Sequence, residues 1–250
     1  MNIPLLVGHR GYPRYYPENT LCGLEAVLPG GCFVEVDIQV TADLVPVVIH
    51  DTSLMRTGGV AGDVRDMDYA GIKEVVVDER RRLGRPFPQA RVPCLAQAAA
   101  WIARNPTVRA FIEIKAESME RFGRRSVVER ILQDLDPVRD RVVVISFDAA
   151  ALELARSLSA LPVGWVLDGW GERVLTHAAR LAPEFLFCDH TAIPGDVLEL
   201  PRGVWQWVLY DIVDPRLALD WARRGADLIE TAAIGDLLAH PVLSRRACGG

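Results

Sequence analysis

The chain has 250 residues, half of them apolar and about a quarter charged, enough to bury one large core and the usual length of a single α/β barrel. Its 33 acidic residues against 28 basic ones exclude a broad electrostatic footprint for nucleic acid, so an anionic ligand must be attracted locally. The absence of any run of about eighteen apolar residues excludes a stable membrane span, and Cys22, Cys32, Cys94, Cys188 and Cys248, scattered without a C-x-x-C pair, fit a reducing, cytoplasmic compartment.

In chain order, the opening segment through Gly8 has no basic leader and reads as neither signal peptide nor anchor. Leu5–His9 is the first predicted strand, and Asn19 is predicted to cap a helix carrying Leu21, Leu24, Val27 and Leu28. Phe33–Ile38 is the second strand. After it the chain turns back through Val45–His50 with no room for a helix, then enters a Gly-, Asp- and Arg-rich stretch, 51–92, that reads as a subdomain inserted on a barrel rim. Phe111–Lys115, Val142–Ser146, Val163–Leu167, Phe185–Cys188, Val204–Leu209 and Asp227–Glu230 complete eight strands. Helical patterns lie between most of them, one capped by Asp148 and carrying Leu152, Leu154, Ala155 and Leu158. This rhythm predicts one (β/α)8 TIM barrel over 1–250, with the insertion following the second strand and its hairpin return. Polar residues close the strands: His9 and Arg10, Asp37, Lys115, Ser146, Asp168, Asp189, Tyr210 and Glu230. That is the rim where barrel active sites form.

Glu35 and Asp37 are two apart on a strand and share a face, opposite Val34, Val36 and Ile38. Glu113 and Lys115 repeat the pattern between Ile112 and Ile114. Buried carboxylates of this number need a cation or a shared proton, and an all-oxygen set favours Mg²⁺ or Ca²⁺ over Zn²⁺. Pairing with Arg10 and Lys115 alone is the plainer alternative. If the turn after the second strand centres on Ala42 and Asp43, the register sets Val48 opposite Asp37 and His50 opposite Glu35. His9, at the end of the first strand, would join it. Two histidines beside such a cluster suit a reaction that removes one proton and donates another near neutral pH. Three carboxylates and one divalent cation leave a single negative charge, which Arg10 and Lys115 reverse to a single positive one, matching a phosphodiester.

His9-Arg10-Gly11, Pro17-Glu18-Asn19-Thr20, Glu35-Val36-Asp37, His50-Asp51 and Ile112-Glu113-Ile114-Lys115 resemble the glycerophosphodiester phosphodiesterase family, and the likeness runs on through Val92-Pro93-Cys94-Leu95, Ser146-Phe147-Asp148 and Trp207. The resemblance implies a barrel of the phospholipase-C-like phosphodiesterase type that uses Mg²⁺ or Ca²⁺ to cleave small glycerophosphodiesters to glycerol 3-phosphate and an alcohol. It implies Glu35, Asp37 and Glu113 as metal ligands, His9 and His50 as the acid/base pair, and Arg10 and Lys115 as phosphate contacts. Glu18 would support the site, although its place at a helix N-terminus explains it almost equally well, and Trp207 would pack on glycerol or serve as a core aromatic at the rim. The chain departs from the family's usual Trp-Thr-Val-Asn and Thr-Asp at Trp207-Val208-Leu209-Tyr210 and Glu230-Thr231, which bears on substrate preference. A lysophospholipase D-like or cyclising lyase on the same fold, and a non-catalytic phosphate-binding barrel, are the competing readings.

Overall fold

The computed structural model describes residues 3–31 and 33–246; Met1, Asn2, Cys32 and Cys248, on which expectations about the leader and the thiols partly rest, lie outside them. The strands are β1 (Leu5–Gly8), β2 (Phe33–Val40), β3 (Pro46–Val48), β4 (Arg109–Ile114), β5 (Val142–Ser146), β6 (Val163–Val166), β7 (Phe185–Asp189), β8 (Gln206–Tyr210) and β9 (Leu228–Thr231). All but β3 are parallel, and β1 pairs with both β2 and β9. The sheet is therefore a closed eight-stranded barrel with helices in its crossovers except that from β7 to β8, and closure leaves no open edge in the parallel set.

Period-two alternation sorts the side chains into two layers. Val34, Val36, Ile38, Ile112 and Ile114 face outward and join the core beneath the helices. Val7, Phe111, Val143, Ile145, Val166, Phe187, Val208 and Leu228 fill the interior. Phe111 meets Phe185 and Phe187 edge-on, each with centroids 5.0 Å apart, and stacks on Phe33 at 5.8 Å. Gly164 leaves these rings their space, since a Cβ there would stand 2.9 Å from Ile145 and 3.1 Å from Phe187. Burying a ring of this size contributes about 1.5–3 kcal/mol.

Helix starts follow their caps. The Asp148 carboxylate accepts the amides of Ala150 and Ala151, and Asp214 does the same ahead of Pro215, satisfying donors that the first turn leaves open. The first helix is shorter than expected, Leu21–Glu25, and its cap is Thr20, whose hydroxyl accepts the amide of Gly23. Asn19 is not the cap. It sits at φ 53°, a left-handed conformation that asparagine tolerates better than most residues.

The hairpin differs from expectation by one residue. Ile38 pairs with Val48, Gln39 with Val47 and Val40 with Pro46, so Val48 is not opposite Asp37 and His50 is not opposite Glu35. Ile49 holds the place beside Asp37, donating its amide to the Asp37 carbonyl at 2.9 Å. The cause is the turn. Thr41 exchanges backbone and hydroxyl bonds with Val45, and Leu44 takes the left-handed conformation at φ 58°, giving a three-residue loop where a two-residue one was expected. At the other end of the barrel, β8 opens at Gln206 and not at Val204, which is 75% exposed. Residues 51–92 contribute no barrel strand. They form short helical turns over Leu54, Val64, Ile72 and Val77, which share a small separate core with Val47, Ile49 and Val92.

Candidate active site

A cavity of about 200 Å³ opens at the carboxyl ends of the barrel strands. One wall carries His9, Arg10, His50, Glu113, Lys115, Asp211 and Glu230; the other carries Ile145, Phe147, Val166, Phe187 and Tyr210. The strands put the first wall together by parity: Glu35 and Asp37 continue the inward row of Phe33 on β2, Glu113 that of Phe111 on β4, and Glu230 that of Leu228 on β9.

Glu35, Asp37 and Glu113 each offer an oxygen, all within 4.8 Å of one another. Their charges are balanced unequally. Asp37 pairs with Lys115 Nζ at 2.7 Å and Arg10 Nε at 3.0 Å. Burial pushes its carboxyl up, but these two cations outweigh burial and hold it well below the usual range. Asn19 fixes its orientation, donating through Nδ2 to Asp37 Oδ2 at 2.8 Å while its Oδ1 accepts the Asp37 amide at 3.2 Å. Glu113 shares Lys115 at 2.7 Å, yet burial and the nearby Asp37 raise it. Glu35 accepts the Arg10 amide on Oε2 at 3.1 Å, whereas its Oε1 is buried without a hydrogen-bond partner. Burial and the neighbouring acids raise it well above a normal glutamate. Three convergent carboxylates, one of which keeps an oxygen without a hydrogen-bond partner, form a donor set that fits a hard divalent cation.

Both histidines reach the cavity. His9 lies with Nε2 3.9 Å from Glu35 and 3.6 Å from Glu230, and with Nδ1 3.5 Å from Asp211. Burial would lower its pKa, but Glu230 and Asp211 reverse the sign and raise it. His50, despite the shifted register, leaves β3 where the cavity begins. Its carbonyl accepts from Gln39 Nε2 at 3.1 Å, and its Nδ1 lies 2.7 Å from Asp51 Oδ1. With Nδ1 so engaged, Nε2 is the ring nitrogen left for another partner.

The remaining expected residues divide. Arg10 and Lys115 line the cavity, though their charged atoms are turned to the carboxylates. Glu18 is buried and binds Arg10 at 3.2 Å and Arg56 at 2.7 Å. Trp207 does not come to the cavity: it belongs to the outer layer, donates its indole N–H to the Pro201 carbonyl at 2.8 Å and packs near Trp170 and Trp205. The inward residues of β8 are Val208 and Tyr210. The fourth buried acid also corrects the charge count, because Glu230 is 4% exposed and its Oε2 has no hydrogen-bond partner. Burial raises its carboxyl and His9 pulls it down, but burial and the neighbouring acids win and push it up to about 7, so a fourth ionisable acid joins the three counted from the sequence. Its parity with Leu228 was the available signal; Asp51 stood in the His50-Asp51 motif without an assigned role, and Arg56, within the insertion, left no signal.

The profile of the glycerophosphoryl diester phosphodiesterase family matches residues 9–189. A Bacillus altitudinis glycerophosphodiester phosphodiesterase is 30% identical over 156 residues, 61% of this chain and 62% of that protein. Glycerophosphodiester phosphodiesterase 1 of Bos taurus is 28% identical over 142 residues, 56% of this chain. The match spans only 42% of the bovine protein and 34% of its mouse counterpart. In fold, the chain is similar to an Oleispira antarctica phosphodiesterase solved in complex with the product sn-glycerol-3-phosphate, with a TM-score of 0.82 at 21% identity over 95% of this chain and 96% of that one. It is also similar to a glycerophosphodiester phosphodiesterase of Agrobacterium tumefaciens, with a TM-score of 0.74 at 20% identity over 95% and 100% of the two chains.

Proposed function

The chain belongs to the glycerophosphoryl diester phosphodiesterase family, and on that premise we propose that it hydrolyses small glycerophosphodiesters to glycerol 3-phosphate and an alcohol. The observation that carries the reading is the convergence of Glu35, Asp37 and Glu113, each offering an oxygen within 4.8 Å of the others, on a cavity lined by His9 and His50, with Oε1 of Glu35 buried without a hydrogen-bond partner. Glu35, Asp37 and Glu113 would hold one Mg²⁺ or Ca²⁺. When bound, that cation would supply electrostatic stabilisation of charge on the phosphoryl oxygens.

The chain's own groups divide the rest of the work. Arg10 and Lys115 balance the carboxylates and offer positive charge to the diester. Asp51 on Nδ1 of His50 leaves Nε2 to remove the proton from the attacking hydroxyl, of the substrate's glycerol or of water. His9, raised by Glu230 and Asp211, holds the proton that the departing alcohol takes. The apolar wall of Ile145, Phe147 and Phe187 limits water around the reacting groups. We take 1–250 as one barrel domain with 51–92 inserted on its rim. We place its action in the cytoplasm, a reading supported by the free thiols of Cys22, Cys94 and Cys188. Among the described residues no helix is long and apolar enough to cross a membrane.

The test is cleavage of glycerophosphocholine and glycerophosphoethanolamine, followed by phosphorus NMR, with and without chelator. Chelation should abolish turnover, and His9→Ala and His50→Ala should each lower kcat by about 100-fold or more. Turnover that survives chelation or loss of both histidines defeats the mechanism, and a cyclic phosphate as end product makes the enzyme a lyase.

A further inference from the structure

Arg56 belongs to the inserted segment and does not line the cavity, yet through one carboxylate each it is linked to two residues that do, His50 and Arg10. Its guanidinium donates through Nε and Nη2 to Asp51 at 2.7 and 3.0 Å, and through Nη1 and Nη2 to Glu18 at 2.8 and 2.7 Å. Each carboxylate passes the constraint inward: Asp51 to Nδ1 of His50 at 2.7 Å, and Glu18 to Nη1 of Arg10 at 3.2 Å. The far side of Glu18 is also tied to the insertion, because its amide donates to Glu79 Oε2 at 2.7 Å.

We propose that Arg56 is a positioning residue, a planar bridge by which the inserted segment sets both the ring of His50 and the guanidinium of Arg10. The planar fork is the essential property. Two carboxylates are each bound twice by one rigid group, which fixes their relative angle; a lysine ammonium is a point charge that can match the sum of charge but not the angle. Asp51 is held with one oxygen on His50 and both on Arg56, so it can only present the imidazole in one orientation. Glu18, buried between Arg56 and Arg10, does the same for the guanidinium. Misplacing reacting groups by about 1 Å can cost about 100-fold in rate, so a residue outside the cavity can control turnover.

The inference rests on the catalytic reading of His50 and Arg10, and its test separates the two. Arg56→Lys keeps the charge and removes the fork; Asp51→Asn weakens the arm that runs through Asp51 to His50, and Glu18→Gln the arm that runs through Glu18 to Arg10. With glycerophosphocholine, Asp51→Asn should lower kcat about 10- to 100-fold with little change in KM. Glu18→Gln should chiefly raise KM, and Arg56→Lys should do both. Adding Asp51→Asn to Arg56→Lys should lower kcat by no more than the larger single loss. In parallel, nitrogen NMR of the histidine rings at alkaline pH should show His50 carrying its proton on Nδ1 in the parent protein and as a mixture of tautomers in Arg56→Lys. Kinetics restored to parent values by lysine would reduce Arg56 to a charge, and an unchanged His50 tautomer would overturn the bridge. If the parent protein cleaves no diester, the functional reading fails, while the ring spectra still decide whether Arg56 orients His50.

Discussion

Glu230 and Phe111 make opposite demands on the barrel interior, the one needing a charge or a proton, the other needing dryness. A carboxyl whose pKa is raised by folding keeps its proton after the unfolded chain has lost it, so the folded state binds more protons between the two values. With Glu230 pushed from an ordinary 4.5 up to about 7, metal-free protein should lose stability as pH rises through that window. Glu230→Gln should flatten the slope. Urea unfolding of chelated protein at several pH values checks this, and identical slopes in parent and variant would refute it. Phe111, fully buried among Phe33, Phe185 and Phe187, should cost about 3–5 kcal/mol when cut to alanine, measurable by the same titration.

The hairpin of β2 and β3 carries the placement of His50. One residue added between Ala42 and Asp43 would shift the partners of Ile38 to Val40 by one position and turn Val47 and Val48, both buried, toward the wrong faces. Such a variant should lose diester cleavage; if it turns over at the parent rate, the hairpin does not place the histidine. Much of this region was legible beforehand because alternation is a strict rule: Glu35, Asp37, Glu113 and Lys115 had to face inward once their β-branched neighbours faced out. The turn was not, because a left-handed Leu44 has no composition signal where glycine or asparagine would give one. Asn19 misled for a related reason. Its residue type suits a helix cap, and only the folded chain brings it against Asp37. Of the two readings open for Trp207, its alternation with the inward Val208 favours the core aromatic, and its place beside the family motif is what suggested glycerol. Arg56 lay in a stretch with weak periodicity, so nothing tied it to a distant loop.

Over the whole molecule, buried negative charge is concentrated toward the carboxyl ends of the barrel strands. Four buried carboxylates face Arg10, Lys115 and a raised His9, a balance that a divalent cation should improve. Mg²⁺ or Ca²⁺ at about 100 times its Kd should stabilise the protein by about 2.7 kcal/mol. Glu35→Gln and Glu113→Gln should remove that gain. Calorimetry of chelated and reloaded protein reads it directly, and a melting point indifferent to either cation would argue against a metal at this position. The phenylalanine floor has a further consequence for traffic. Phe111 and Phe187, at most 1% exposed beneath the carboxylates, close the barrel from below, so the cavity is a cul-de-sac. In the proposed reaction, diester, alcohol and glycerol 3-phosphate would all pass one doorway, and a phosphate-bearing product that lingered there would block the next arrival. Inhibition by glycerol 3-phosphate should accordingly be competitive with substrate.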